Sequence, residues 1–323
     1  MLGRLMRSLF VSLSKAGWAK RLITGWGFAW RAASRFISGE TLQDAIPVIR
    51  QLNEHGIAVT LDYLGESTNR PEEARAAVDE LIRALEAIEA AGLRSNVSLK
   101  LTQIGLLLDE DLCRENLARL LTRARELHTF VRIDMEDSPV TGRTLAMYDW
   151  ARAQGFDNTG VVLQSYLYRS EADLAHVLEQ GGRVRLVKGA YDEPQTVAYP
   201  QKAQTDASYD RLATQLLEGA MKAGAPQISA DGRIPPIPAI ATQDLKRIQH
   251  VQAEIKRLGV PRGAMEFQML YGIRRDLQNA LVEQGYPLRV YVPYGTQWYP
   301  YYMRRLAERP ANFWFFLSNF FRR

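Results

Sequence analysis

Sulfur and imidazole are scarce in this sequence. A single cysteine, Cys113, cannot close an internal disulfide, and no second thiol exists to begin a zinc or iron–sulfur site. Four histidines, His55, His128, His176 and His250, stand far apart and show no HExxH or comparable ligand spacing. These absences argue against a disulfide-stapled secreted domain and against a metalloenzyme, and they fit a reducing compartment such as the cytoplasm. No run of about 18 apolar residues occurs, so no helix is expected to span a bilayer. Neither a P-loop nor a G-x-S-x-G elbow is found. The nearest approach to a dinucleotide fingerprint, Gly25-Trp-Gly27-Phe-Ala-Trp30, lacks its third glycine and has no strand before it.

Acidic residues are missing from residues 1–39, which hold seven basic ones: Arg4, Arg7, Lys15, Lys20, Arg21, Arg31 and Arg35. The net charge of +5 therefore belongs to this arm, and the remainder is slightly acidic. A transit peptide, a membrane or nucleic-acid patch and a solvated helical face all fit such an arm. Helices of the mature protein are favoured, and nucleic-acid binding is disfavoured because the rest of the chain carries no basic excess.

What is present is ordinary globular material: 323 residues, 46% hydrophobic and 24% charged. Short apolar runs alternate with longer segments of helical period. Strands are expected at 57–62, 97–101, 130–135, 160–164, 184–188, 238–242, 266–270 and 288–292. Helices are expected at 72–91, 111–127, 141–154, 170–179 (with Ser170 as N-cap), near 208–223, and then ending at 258, 283 and 308. Eight βα units over about 250 residues predict an α/β fold, a (β/α)8 TIM-type barrel. The expected organisation is an N-terminal helical arm (1–55), the barrel (56–312) and an aromatic, basic helical tail (313–323). That tail either packs on the protein or touches a membrane.

Active groups of such barrels gather at the C-terminal ends of the strands. Those positions hold Lys100, Asp134, Glu136, Gln164, Lys188, Tyr191, Thr242, Gln268 and Tyr291. Lys100 and Asp134 either form a structural ion pair or face a ligand-filled mouth. On the last helix Tyr301, Arg304, Arg305 and Glu308 fall at i, i+3, i+4 and i+7, and so share one face. The arginines either clamp a small carboxylate in bidentate fashion or form a solvated basic face with an Arg304–Glu308 pair.

Five strings carry a resemblance: Val131-Arg-Ile-Asp-Met-Glu-Asp-Ser138, Val184-Arg-Leu-Val-Lys-Gly-Ala-Tyr191, Glu266-Phe-Gln-Met-Leu-Tyr-Gly272, Tyr291-Val-Pro-Tyr-Gly295 and Tyr301-Tyr-Met-Arg-Arg-Leu-Ala-Glu-Arg-Pro310. Over residues 39–312 the chain resembles the bacterial, monofunctional proline dehydrogenases. The resemblance implies a distorted barrel preceded by helices, with FAD at its mouth. It also implies oxidation of L-proline to 1-pyrroline-5-carboxylate, a quinone as electron acceptor, and peripheral contact with the inner face of the cell membrane.

By the same resemblance Arg304 and Arg305 hold the proline carboxylate with help from Lys100, and Glu308 orients the arginines. Asp134 lies beside the substrate, and Tyr191, Leu270, Tyr291 and Tyr301 pack around its ring. Arg185 stands near the flavin N5. Met135, Gln164, Lys188, Gly189, Ala190 and Thr242 contact the flavin. One departure follows strand six, where the family has histidine and this chain has Gln243, which donates and accepts hydrogen bonds without carrying charge. The rival reading is a barrel lyase or aldolase with Lys100 or Lys188 as Schiff base.

Overall fold

A computed structural model describes residue 30, residues 33–65 and residues 67–308, apart from the side chains of 307 and 308. Helix α1 (Leu42–Glu54) leads into eight parallel strands that close as a barrel in sequence order. These are β1 (Ala58–Tyr63), β2 (Ser95–Lys100), β3 (Val131–Asp134), β4 (Thr159–Gln164), β5 (Arg183–Val187), β6 (Pro238–Ala241), β7 (Glu266–Leu270) and β8 (Leu288–Tyr294). Around them run α2 (Pro71–Ala90), α3 (Glu110–Glu126), α4 (Ser138–Ala153), α5 (Ser170–Glu179), α6 (Lys202–Lys222), α7 (Leu245–Leu258) and α8 (Arg275–Glu283), with α9 (Trp298–Glu308) last. Each expected strand is present, and the barrel is closed by β1 against β8. Among the described residues no helix is long and apolar enough to cross a membrane. The basic residues before 30 and the aromatic tail lie outside the described residues.

Local chemistry explains the element boundaries. Pro71 opens α2 and Glu72 and Glu73 stand in its first turn, while Ala77, Val78, Leu81, Leu85 and Ile88 give it one buried face. Asp109 caps α3 by accepting from the backbone N–H groups of Asp111 and Leu112. Two expectations are corrected. Ser170 is the first residue of α5 rather than its cap, and its hydroxyl donates to the Gln164 carbonyl at 2.6 Å, tying helix to strand end. Helix α6 starts at Lys202 rather than near 208, because the Gln204 side chain reaches back to the Gln201 backbone N–H and supports an earlier turn.

Outward strand residues such as Val59, Leu61, Leu99, Ile133 and Val290 pack under the helices in one continuous core, which also takes in Ala45 and Ile49 of α1. Burial of each such side chain contributes about 1.5–3 kcal/mol. The barrel interior is different, because polar and charged side chains fill it. On its floor Arg289 Nε donates to both oxygens of Glu266 (2.9 and 3.1 Å), and its Nη groups donate to the carbonyls of Val59 and Gly232. Above it Thr60 donates to Asn96 at 2.7 Å.

A second core lies over the mouth. Its members include Phe36, Ile37, Leu64, Ile273, Trp298, Tyr302 and Leu306. Residues 33–40 hold α9 there. Ser38 N–H and Oγ–H both donate to the Pro293 carbonyl, Gly295 N–H donates to the Gly39 carbonyl at 3.0 Å, and Trp298 Nε1–H donates to Glu40.

Candidate active site

One face of α9 (Trp298, Tyr302, Leu306) is buried in this second core. The adjoining side of the helix, with Tyr301 at the edge of that core, carries Arg304 and Arg305, and the three wall a cavity of about 600 Å3 at the strand ends. Arg305 is only 7% exposed and its guanidinium lies over the Tyr301 ring at 5.0 Å. The same cavity is lined by Lys100 from β2, Asp134 and Met135 at the end of β3, Gln164 from β4, Arg185 from β5, and Leu270 and Tyr291 from β7 and β8. Lys188, Gly189, Ala190 and Tyr191 reach it from the loop after β5, and Thr242 and Gln243 from the loop after β6. Every site residue expected from sequence except Glu136 and Glu308 thus meets the same space. Glu136 is buried but turned aside, accepting from Thr102 N–H and Oγ1–H. The Glu308 side chain lies outside the described residues.

The centre of the site is an ionic cluster. Asp134 Oδ1 accepts from Arg185 Nη1 at 2.7 Å and from Ser98 Oγ at 2.7 Å, and Oδ2 accepts from the Tyr291 hydroxyl at 2.9 Å. Arg185 also lies 5.3 Å from the Tyr291 ring centroid. The partner this gives Asp134 is Arg185 rather than the Lys100 that a structural ion pair between neighbouring strands would use. Lys100 Nζ stands 3.8 Å from Asp62 Oδ2. Burial pushes the Tyr291 hydroxyl well above its ordinary pKa, and the nearby charge of Asp134 adds to this, so it remains a donor at neutral pH. Lys188 Nζ is gripped by Asp206 at 2.5 Å and Asp244 at 2.6 Å. Burial raises Asp244, but the hydrogen bond and charge of Lys188 outweigh that and hold it at about 2.

Comparisons with known proteins show the family of the chain. A family model described as proline dehydrogenase matches residues 45–316. The chain belongs to the proline dehydrogenase family. It is 41% identical over 307 residues to proline dehydrogenase 2 of Bacillus subtilis, covering 95% of each chain. It is also 41% identical over 287 residues to the proline dehydrogenase of Deinococcus radiodurans, covering 88% of each. Among solved structures it resembles proline utilization A from Bdellovibrio bacteriovorus, inactivated by N-propargylglycine. That match has a TM-score of 0.76 and 27% identity, and it covers 87% of this chain and 33% of that longer one. Family and barrel together make the protein an oxidoreductase of proline catabolism.

Several residues of this site escaped sequence reasoning. Asp62, Ser98 and Thr60 face the interior beside Arg185, and Asp206 and Asp244 hold Lys188. Glu193 caps the start of α4 by accepting from Ser138 N–H at 2.7 Å and from its hydroxyl, which anchors the loop carrying Tyr191. Asp62 closes the expected strand 57–62, so the criterion that picked Asp134 applied to it equally.

Gly189 is tightly enclosed in the wall. Its φ of +113° disfavours any L side chain, and a Cβ there would sit 2.3 Å from the Tyr166 ring. Gly189→Ala is expected to destabilise the protein by about 2 kcal/mol or more. Thermal unfolding checks this, and an unchanged midpoint would show that the loop relaxes without strain.

Proposed function

We propose that the cavity binds L-proline against FAD and oxidises it to 1-pyrroline-5-carboxylate, with a quinone as final acceptor. The observation that supports this most is the convergence of Lys100, Arg304 and Arg305 with Tyr191, Tyr291 and Tyr301 in one pocket. Three cations suit a carboxylate, and the aromatic rings suit a small saturated ring.

The lining fits the flavin. Arg185 Nε is buried with no hydrogen-bond partner, a spare donor in the cavity wall. Gln164, Lys188, Gly189, Ala190, Thr242 and Gln243 border the same space and would hold the group, with Met135 beside them. FAD supplies the two-electron acceptor for the hydride leaving C5 of proline, chemistry that no side chain provides.

The protein's own share is placement. Arg304 and Arg305 grip the carboxylate and Lys100 adds a third positive charge, so the ring is fixed at one end. Tyr291 and Tyr301 exclude water from its faces, and Leu270 closes the apolar side. Asp134, held by Arg185, Ser98 and Tyr291, presents negative charge toward the substrate's secondary ammonium. A Schiff-base lysine accounts for less of this, since Lys188 already donates to two carboxylates.

An anaerobic absorbance spectrum before and after L-proline tests the reading. Flavin bands near ~450 nm that bleach with proline are expected of a bound hydride sink. Bands that persist would move the question to the substrate, and protein that takes up no FAD would overturn the proposal.

A further inference from the structure

Asp62 is the acid in this site that the mechanism above leaves unused. It lies inside the barrel on β1, fully buried, and neither of its oxygens has a hydrogen-bond partner. A carboxylate without donors in such a place is costly, so it calls for an explanation beyond filling space. Charged and titratable groups face it from four strands: Lys100 on β2, Asp134 on β3, Arg185 on β5 and Tyr291 on β8. Of these, Arg185 and the Tyr291 hydroxyl are turned to Asp134 by their hydrogen bonds. The cation left facing Asp62 is Lys100, whose Nζ stands 3.8 Å from Oδ2.

We propose that Asp62 is a positioning residue, fixing the Lys100 ammonium at the cavity wall where it meets the substrate carboxylate. This rests on the function proposed above. The separation suits the task. At 3.8 Å the carboxylate holds the ammonium by charge without occupying one of its N–H donors. Lys100 is buried, 7% exposed, a setting in which charge acts strongly. Burial raises the Asp62 carboxyl above its ordinary range, and the charge of Lys100 opposes that rise.

The same register that brings β2 beside β1 pairs Asp62 with Ser98, two residues before Lys100. The lysine side chain therefore leaves the sheet one interior layer above the acid and bridges back toward it. A rigid anchor below and a ligand above would hold Lys100 in one orientation, which is what a third carboxylate contact requires.

The test is a double-mutant cycle on the FAD-loaded enzyme. Asp62→Asn keeps the shape and removes the charge. It is expected to raise the KM for L-proline about tenfold while changing kcat less than about threefold, the pattern of lost ground-state positioning. In a Lys100→Met background Asp62→Asn is expected to leave KM unchanged, because the residue it acts through is gone. An unaltered KM in the single variant, or an equal further rise in the Lys100→Met background, overturns the proposal. A merely structural role would lower the thermal midpoint and the flavin content without this KM coupling. Should Asp62→Asn fail to fold, Asp62→Ser takes its place in the cycle. Wild-type protein that does not bleach with proline would sink the functional reading and this proposal together, whereas bleaching with an unchanged Asp62→Asn KM would sink this one alone.

Discussion

Arg305→Ala is expected to lower kcat/KM for L-proline about 10²–10³-fold, most of it through KM. Truncating one partner of a desolvated charge pair typically costs about 2–5 kcal/mol. Arg305 meets those conditions, being 7% exposed, stacked on Tyr301 and directed into the cavity. Arg304 lines the same wall and would keep a partial grip, so a double alanine variant should bind proline too weakly to saturate. Arg305→Lys should recover only a fraction, because a point charge cannot reproduce a planar fork against a carboxylate. Steady-state kinetics checks this. A KM within about twofold of wild type would remove Arg305 from the clamp.

Asp134→Ala is expected to damage both stability and turnover. The carboxylate it removes is the shared acceptor for Arg185, Ser98 and Tyr291, and it is only 9% exposed at the base of the mouth cavity. Leaving the Arg185 guanidinium without its counter-charge should cost about 3–5 kcal/mol. For a chain of this size that is a fall in Tm on the order of 10 °C. Asp134→Asn retains an acceptor and should lose less. A double variant, Asp134→Leu with Arg185→Leu, should regain part of the stability while remaining inactive, since a buried pair is worse broken than absent. Thermal unfolding of the three variants decides the matter. Equal midpoints for Asp134→Ala and wild type would show that the cluster does not carry the fold.

The barrel was legible because each of its eight strands is a short apolar run bounded by turn residues, and the helices between them keep a helical period. The mouth was legible because strand ends in this architecture are where polar groups can be solvated or met by ligand. Two features were not. The strands alternate in a way that fully buried parallel strands seldom do, as in Val131-Arg-Ile-Asp134 and Leu288-Arg-Val-Tyr291. That alternation is the trace of an ionic interior and leads straight to Asp62, Glu266 and Arg289, but apolar count rather than period drew the strands. The seating of α9 was also hidden. It depends on Ser38 meeting Pro293 across 255 residues, a pairing that no local pattern encodes. Glu193 was missed likewise, because its partner Ser138 belongs to a different βα unit.

The seam between residues 38–39 and the end of β8 joins distant parts of the chain. Its two sides stand 255 residues apart, so closing it carries a large loop-closure entropy. Helix α9 rests on that seam, and the arginines ride on α9. On the proposed function, a chain open along this joint would keep the strand-end lining of the cavity and lose the arginines that grip proline. Proline would then bind the closed form alone, and each tenfold excess over its dissociation constant would add about 1.4 kcal/mol against reopening. Under that function the metabolite would act as a clasp on a joint between the two ends of the described chain.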